Sequence, residues 1–261
     1  MSITINNLTN ENRITISEKG SFSVLEYIKD INPLFNPQNA YFMSKMEVRQ
    51  RQLLINFDGS NSKLNTAVVQ AGAMQWMAGD VSCKTGIKGA GDFIEKMFKG
   101  AVTNESAIKP EYTGDGCMML EPTYKHIILI DVAEWGPQGI TIEDGMFLAC
   151  QGTVQQGIES RKSLSSAVAG NEGIFNLNLK GQGIAALESI YPEKDLIEVI
   201  LDNDEIKIDG NMAVCWSGSL NFTVERSSKS LMGSAVNGEG FVNVYRGTGK
   251  VLMQPIKHIQ I

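Results

Sequence analysis

Three stretches of the sequence align without gaps and decide the fold: Tyr112-Thr-Gly114-Asp-Gly116-Cys-Met-Met-Leu120-Glu-Pro122, Leu179-Lys-Gly181-Gln-Gly183-Ile-Ala-Ala-Leu187-Glu-Ser189 and Tyr245-Arg-Gly247-Thr-Gly249-Lys-Val-Leu-Met253-Gln-Pro255. Their first glycines lie 67 and 66 residues apart. Self-similarity at a fixed period is the sequence signature of stacked structural units. The sequence therefore predicts three tandem repeats in one chain.

Two further sets of residues follow the same period. The first is Gly72, Gly145 and Gly210, followed two positions later by Met74, Phe147 and Met212 and five positions later by Met77, Cys150 and Cys215. The second is Lys125-His126-Ile127, Lys194-Asp195-Leu196 and Lys257-His258-Ile259, just beyond the Gly-x-Gly segments. On this alignment Cys150 and Cys215 share one repeat position that takes a modest apolar side chain.

Within a repeat the pattern is typical of strands. Apolar residues alternate with polar ones in Ile174–Leu179 and Phe241–Tyr245, and both runs lead into Gly-x-Gly, where a tight turn or bulge favours residues without a Cβ. We predict an all-β fold of three repeats, over residues 46–122, 123–189 and 190–261. Residues 1–45 stand outside the period and are expected to be an extension that packs on the main body.

One short helix is predicted inside the first repeat, which carries an insertion. Gly91 and Gly100 bound a run in which Phe93 and Met97, and also Ile94 and Phe98, are spaced at i and i+4. The apolar face of these four residues either completes the core or docks a protein partner.

Composition excludes several classes of function. The chain has 261 residues and a net charge of −6, so it lacks the basic surface that nucleic-acid binding needs. No apolar run approaches the roughly 20 residues of a membrane-spanning helix, and the acidic N-terminal residues fit neither a secretory signal nor a transit peptide. We therefore expect a cytoplasmic protein without a transmembrane segment.

Histidine, cysteine and carboxylate clusters give no strong candidate site. His126, Asp195 and His258 occupy matching repeat positions and could converge as a metal triad, but ordinary polar strand ends are the favoured interpretation. Cys150 and Cys215 have no neighbouring histidine and are interpreted as core thiols. We predict no catalytic residue, no metal ligand and no cofactor.

Two other features have ordinary explanations as well. Asp202, Asp204 and Glu205 form an acidic cluster in a hairpin-like segment, where solvated charge is the usual meaning and acid–base chemistry the alternative. The Gly-x-Gly segments lead into strand residues rather than into a helix N-terminus, which argues against a phosphate-binding loop.

Several of these glycine motifs resemble the AIM24 family, formerly a domain of unknown function. They are Gly238-Glu239-Gly240, Gly247-Thr-Gly249-Lys-Val-Leu-Met-Gln254, Gly170-Asn-Glu-Gly173 before Gly183, and Gln70-Ala-Gly72-Ala-Met-Gln-Trp-Met77. The resemblance covers residues 48–261, and it departs from the family pattern at Thr103-Asn-Glu-Ser106. It implies TRAP-like units, a short variant of the double-stranded β-helix, assembled into rings, in a family whose eukaryotic members are mitochondrial.

A non-enzymatic role follows as the favoured expectation. Repeats with exposed strand edges stack on neighbours, so we expect a scaffold or interaction protein that forms a homo-oligomer. The alternative is a small-molecule-binding module that holds its ligand between repeats or subunits. An enzyme is the third possibility.

Overall fold

The structure of the protein is a computed structural model that describes residues 3–29, 37–84, 109–160, 162–163, 175–226 and 241–256. Most of these residues lie in β-strands, and the prediction of an all-β fold is confirmed. The family's TRAP-like architecture and the duplication that the period suggests stay predictions.

The strands are β1 Arg13–Lys19, β2 Phe22–Tyr27, β3 Arg51–Asp58, β4 Thr66–Val69, β5 Met74–Lys84, β6 Glu111–Leu120, β7 His126–Asp131, β8 Ile140–Ile142, β9 Phe147–Gln151, β10 Val154–Ser160, β11 Lys162–Ser163, β12 Phe175–Gly181, β13 Ile184–Ser189, β14 Ile197–Ile208, β15 Ala213–Ser217, β16 Asn221–Arg226 and β17 Phe241–Met253. The α-helix α1 spans Pro37–Lys45, and short 3-10 turns occupy Lys63–Asn65, Val132–Trp135 and Glu193–Asp195.

The described strands form two sheets. The first has the order β1-β2-β3-β6-β4-β9-β13-β7, with β5 also paired to β6. The second has the order β10-β12-β8-β15-β17-β16-β11, with β14 also paired to β17. We refer to β3–β6 as unit 1, β7–β13 as unit 2 and β14–β17 as unit 3.

Each unit contains a bulged strand that pairs with the strand residues directly after a Gly-x-Gly segment. These pairs are β5 with β6, β9 with β13 and β15 with β17, and the register slips at Gln75, Leu148 and Val214. The same backbone hydrogen bond closes each pair: Glu121 N donates to Ala73 O at 2.7 Å, Glu188 N to Met146 O at 2.8 Å and Gln254 N to Met212 O at 2.8 Å. The three units thus share one pairing register.

Two short strands join the units. β4 of unit 1 lies between β6 and β9, and β8 of unit 2 lies between β12 and β15. We call β4–β9 the first seam and β8–β15 the second seam. Val68 lies opposite Cys150 in the first seam, and Thr141 lies opposite Trp216 in the second.

This register corrects the sequence alignment in unit 3. Trp216, not Cys215, is the counterpart of Cys150, and Ala213, not Met212, is the counterpart of Phe147. The interpretation that Cys150 and Cys215 share one position is therefore wrong. The cause is the turn before β15. Gly210, with φ 65°, lies two residues after the end of β14, whereas Gly145, with φ 73°, lies three residues after the end of β8. Both glycines adopt the left-handed conformation that glycine favours, but they adopt it at different distances from the strand.

The described residues form four buried hydrophobic clusters, and we call the three largest the cores. The first combines residues of β2 and unit 1 with Leu148, Ala149 and Ala186 of unit 2. The second combines unit 2 with Val214 and Cys215 of unit 3. The third is built from buried residues of unit 3 alone. Two of the three cores therefore depend on contact between neighbouring units.

The N-terminal segment adds strands to the first sheet. β2 pairs with β3, and β1 pairs with β2, so Phe22 and Val24 are fully buried in the first core. The limits predicted for the extension and for the three repeats stay predictions.

The described helix is not the one that the sequence predicts. α1 begins at Pro37, and proline is favoured at the first helical position. The predicted helix with Phe93, Ile94, Met97 and Phe98 lies outside the described residues. Within the described ranges, no helix combines the length and the apolar character needed to cross a membrane.

The first glycine of each Gly-x-Gly segment has positive φ, but the space available for an added Cβ differs among the three. All adopt positive φ, at 148° for Gly114, 103° for Gly181 and 124° for Gly247. An added Cβ would lie 1.9 Å from Asp80 O at Gly114, 3.0 Å from Thr153 O at Gly181 and 3.7 Å from its nearest neighbour at Gly247.

We expect alanine substitutions to destabilise the protein in the order Gly114, Gly181, Gly247. Gly247→Ala carries the conformational strain alone, about 1 kcal/mol, whereas Gly114→Ala adds a backbone clash and should cost about 3 kcal/mol or more. Urea unfolding of the three variants measures the order. Equal costs would contradict this account.

Candidate functional site

A cleft lies where units 1 and 2 meet the β1–β2 turn. It has a volume of about 530 Å³ and is open to solvent. Gly20, Ser21, Asn56, Phe57, Asp58, Leu64, Asn65, Gln151 and Ile184 line it. We call it the junction cleft, because its walls come from both units and from the N-terminal hairpin.

The amide side chains of the junction cleft hold its walls together. Gln151 Oε1 accepts from Ile184 N at 2.8 Å, and Gln151 Nε2 donates to Ser21 Oγ at 3.4 Å. Asn65 Oδ1 accepts from Asp58 N at 2.6 Å, while its Nδ2 donates to Ser60 O and Gly114 O. These contacts hold the β1–β2 turn on unit 2 and fix the loop between β3 and β4.

The one carboxylate in the cleft lining is held ionised. Hydrogen bonds from the side chain and the backbone of Ser60 lower the pKa of Asp58, which lies at the exposed end of β3. A carboxylate of lowered pKa is a poor general acid at neutral pH. The cleft as described therefore presents binding groups rather than an acid–base pair.

Asp195 lies within electrostatic range of His126, and among the contacts of the described residues no closer one between the two side chains supports the metal hypothesis. Burial lowers the pKa of His126, and the neighbouring Arg51 lowers it further, while Glu26 and Asp195 act in the opposite direction. A guanidinium beside the imidazole also disfavours a metal cation there. His258 lies outside the described residues, and the described ranges contain no group of three or more potential metal ligands.

A buried ion pair stands next to His126. Arg51 and Glu26 are 5% and 8% exposed, and Arg51 Nη2 lies 2.6 Å from Glu26 Oε2. Arg49 Nη1 contacts the other carboxylate oxygen at 3.0 Å. Removing one partner of such a pair leaves a buried charge, so the pair fixes β2 on β3 and has a structural role.

The cysteines of units 2 and 3 are buried thiols. Burial raises the pKa of Cys150 to about 12, and Gln156 Nε2 donates to its Sγ at 3.6 Å. Burial likewise raises the pKa of Cys215, which is fully buried. Protonated, inaccessible thiols are poor nucleophiles.

The acidic cluster of β14 belongs to an ion-paired surface. Arg246 Nε donates to Glu205 Oε2 at 2.7 Å, and the two terminal nitrogens of Arg246 bind the carboxylate of Glu225. Hydrogen bonds from Arg246 and Thr223 lower the pKa of Glu225 to about 2. Hydrogen bonds from Lys207 and Arg246 lower the pKa of Glu205. These carboxylates serve as partners of cations.

Sequence reasoning missed the residues that shape the cleft and the ion pair. Gln151 is the last residue of the buried strand β9, and Asn65 precedes β4, but neither belongs to a recognisable motif. Glu26 and Arg51 are far apart in sequence and meet only through the pairing of β2 with β3. A polar residue inside an otherwise apolar strand was the one available signal.

Two sheets of mostly antiparallel strands define an all-β protein. The chain belongs to the AIM24 family: the family model described as mitochondrial biogenesis AIM24 matches residues 61–256.

Two streptococcal proteins are similar to this chain. An uncharacterised protein of Streptococcus pyogenes serotype M6 is 27% identical over 194 residues, which cover 72% of this chain and 76% of that protein. The crystal structure of a protein from Streptococcus pyogenes matches with a TM-score of 0.57 and 23% identity, over 81% of this chain and 90% of that one. The second likeness shows the fold.

Cysteine accessibility predicts a simple labelling pattern. Cys83 is exposed, whereas Cys117, Cys150 and Cys215 are buried. Thiol titration of the native protein should therefore modify one cysteine, and titration in denaturant should modify all four. Cys83→Ser is the control, because it should abolish native labelling. Rapid native labelling of Cys150 or Cys215 would contradict their burial.

Proposed function

We propose that this AIM24-family chain is a non-enzymatic scaffold or interaction protein that assembles with copies of itself in the cytoplasm. The proposal rests on one observation: within the described ranges, the first strand of unit 3 pairs only with β17 and is largely exposed, whereas the first strands of units 1 and 2 are packed against further strands.

The first strands of the three units, β3, β7 and β14, differ in burial. β3 is covered by β2, and β7 contacts β1 and β3. Ile128 of β7 is 1% exposed, but its register counterpart in β14, Ile197, is 43% exposed. A strand that is buried in two units and open in the third supports contact with another molecule.

Ile200 strengthens this argument because of its residue type. It lies opposite Lys250 and is 75% exposed. The matching positions of units 1 and 2 hold Asn56 and Asp131, which are suited to water. Unit 3 therefore presents an apolar side chain where the other units present polar ones.

A second candidate is suggested by the junction cleft. Its volume suits a small ligand, and its lining is mainly apolar with a few polar side chains, as in many ligand-binding clefts. Native mass spectrometry of the purified protein distinguishes this candidate, since a retained ligand adds mass to the 28.5 kDa chain. Leu64→Trp narrows the cleft and should remove that added mass. A bare chain mass under conditions that preserve complexes would count against ligand binding.

Self-assembly is tested with a substitution that gives unit 3 the asparagine that unit 1 has at the matching position. Ile200→Asn should shift the protein toward smaller species in sedimentation velocity, because it removes exposed apolar surface from the proposed contact. Its effect on unfolding should stay below about 1 kcal/mol, since the side chain is already in water.

The matched control is Ile16→Asn, in β1, where the isoleucine is 45% exposed. It should leave the size distribution unchanged. A wild-type protein that sediments as a monomer at all concentrations would rule out self-assembly.

A further inference from the structure

Two strand edges of the molecule match the edges that form the inner seams. In the first seam, β9 is completely buried between β4 and β13, and in the second seam β15 is completely buried between β8 and β17. Their counterpart β5 pairs with β6 alone within the described residues, and Met77 in it is 44% exposed. We call β4 and β8 the donating strands of the seams, and β9 and β15 the accepting strands. Unit 1 thus has an accepting strand, β5, with which no described donating strand pairs.

The complementary edge lies in unit 3. The strands that donate to the seams, β4 and β8, also pair with their own unit's long strand, Ala67 opposite Tyr112 and Ile140 opposite Leu179. The second half of β14 pairs with β17 in the same way, with Ile206 opposite Tyr245. Its other edge has no strand partner in the part of the chain that the structure describes.

The backbone groups of a seam follow one pattern. In the first seam Gly152 N donates to Thr66 O at 2.7 Å and Gln70 N donates to Leu148 O at 2.8 Å. In the second seam Gly218 N donates to Gly139 O at 2.9 Å and Glu143 N donates to Val214 O at 3.0 Å. A hydrogen-bonded pair of residues therefore lies midway between these two bonds in each seam.

The open edges carry the same pattern. By register, Met77 is the counterpart of Cys150 and Trp216, and Gly79 is the counterpart of Gly152 and Gly218. Lys207 is the counterpart of Val68 and Thr141, because all three lie one residue beyond the Ile206, Ala67 and Ile140 positions. A third seam would therefore place Lys207 opposite Met77.

We propose that Glu205–Asp209 of one copy pairs antiparallel with Gln75–Gly79 of a second copy, forming a third seam between chains. This inference rests on the proposed self-assembly and adds a second contact, made through backbone hydrogen bonds, to the exposed surface at Ile200. The occupant is a second copy because the chain itself contains two examples of the same contact, each between the donating edge of one unit and the accepting edge of the next.

The contact joins two different strand edges, and this determines the type of assembly. Each copy would use one edge to donate and a different edge to accept, so the interface is heterologous. Such contacts form closed rings or open chains, unlike the two-fold dimer that an isologous contact gives. Unpaired strand edges of this kind are a recognised route to association between chains.

Lys207 sets the strength of the contact. It is exposed and its Nζ lies 3.1 Å from Glu205 Oε1, whereas its counterparts are the apolar Val68 and the buried Thr141. A charged residue on an edge strand opposes association. The third seam should therefore be weaker than the inner seams, and it should tighten when this charge is replaced or complemented.

Disulfide trapping tests the register. In the proposed seam Ile206 lies opposite Ala78 as a non-hydrogen-bonded pair, a spacing that suits a disulfide. Ala78→Cys and Ile206→Cys are made as separate chains in a Cys83→Ser background and mixed under mild oxidation. We expect a disulfide-linked dimer that contains one chain of each kind.

The control pair is Ala78→Cys with Ile200→Cys. Ile200 lies in the same strand and is more exposed, but the proposed register keeps it away from Ala78. We expect no heterodimer from this pair. Equal trapping by both pairs would overturn the register, since it would indicate collisions rather than a seam.

The double variant Ala78→Cys/Ile206→Cys separates contact between chains from closure within one chain. Disulfide-linked oligomers on a denaturing gel support the proposal. A cross-linked monomer would overturn it, because the seam would then close inside each molecule.

A charge exchange tests the same pair without cysteines. Met77→Lys places like charges opposite each other and should weaken assembly by about fivefold, and Met77→Lys combined with Lys207→Glu should restore it. If the wild-type protein forms oligomers but neither the disulfide trapping nor the charge exchange gives the expected result, this seam is refuted and the proposed self-assembly still stands. A monomeric wild-type protein would refute both.

Discussion

A short strand that must form hydrogen bonds on both of its edges is the constraint on which this fold depends. β4 has four residues and β8 has three, too few to be stable on one side alone. Each is held by its own unit on one edge and by the next unit on the other. The units are consequently joined by backbone hydrogen bonds, and two of the three cores form across those joints.

Glycines at the seams allow this close approach. A Cβ on Gly152 would lie 2.8 Å from Thr66 Cβ, and a Cβ on Gly218 would lie 2.4 Å from Gln138 O. Both contacts join a bulged strand to the unit before it. These glycines directly follow β9 and β15, so they are distinct from the Gly-x-Gly residues and serve contact between units rather than geometry within one unit. The backbone therefore requires glycine for two separate reasons.

The sequence predicted the features that repeat, because a repeated backbone requirement leaves the same residue type at a fixed spacing. The Gly-x-Gly segments located the long strands and indicated an all-β fold. The alignment failed at Cys215, since it followed Gly210 as an anchor and a turn can move its glycine by one residue without changing the strands. Helix α1 was missed because Asn36-Pro37 has the composition of a break as well as that of a helix start.

The junction cleft and the buried ion pair were beyond sequence analysis for a different reason. Gln151 and Ser21 meet across 130 residues, and Glu26 meets Arg51 only through the register of β2 and β3. A contact of that kind leaves no local spacing in a single sequence. By contrast, the burial of Cys150 could be expected, since an apolar run with no nearby histidine surrounds it.

Unit 3 can leave its edge open because its core is complete without a neighbour. Trp216 lies over Phe222 with ring centroids 5.5 Å apart, and Tyr245 lies 5.2 Å from Trp216 and 5.0 Å from Phe222. Aromatic side chains bury large areas and gain further from such mutual contacts. In the other two cores part of that volume comes from the adjacent unit. The three rings therefore give unit 3 a core of its own, so that within the described residues one edge of β14 needs no strand partner, as the proposed contact between chains requires.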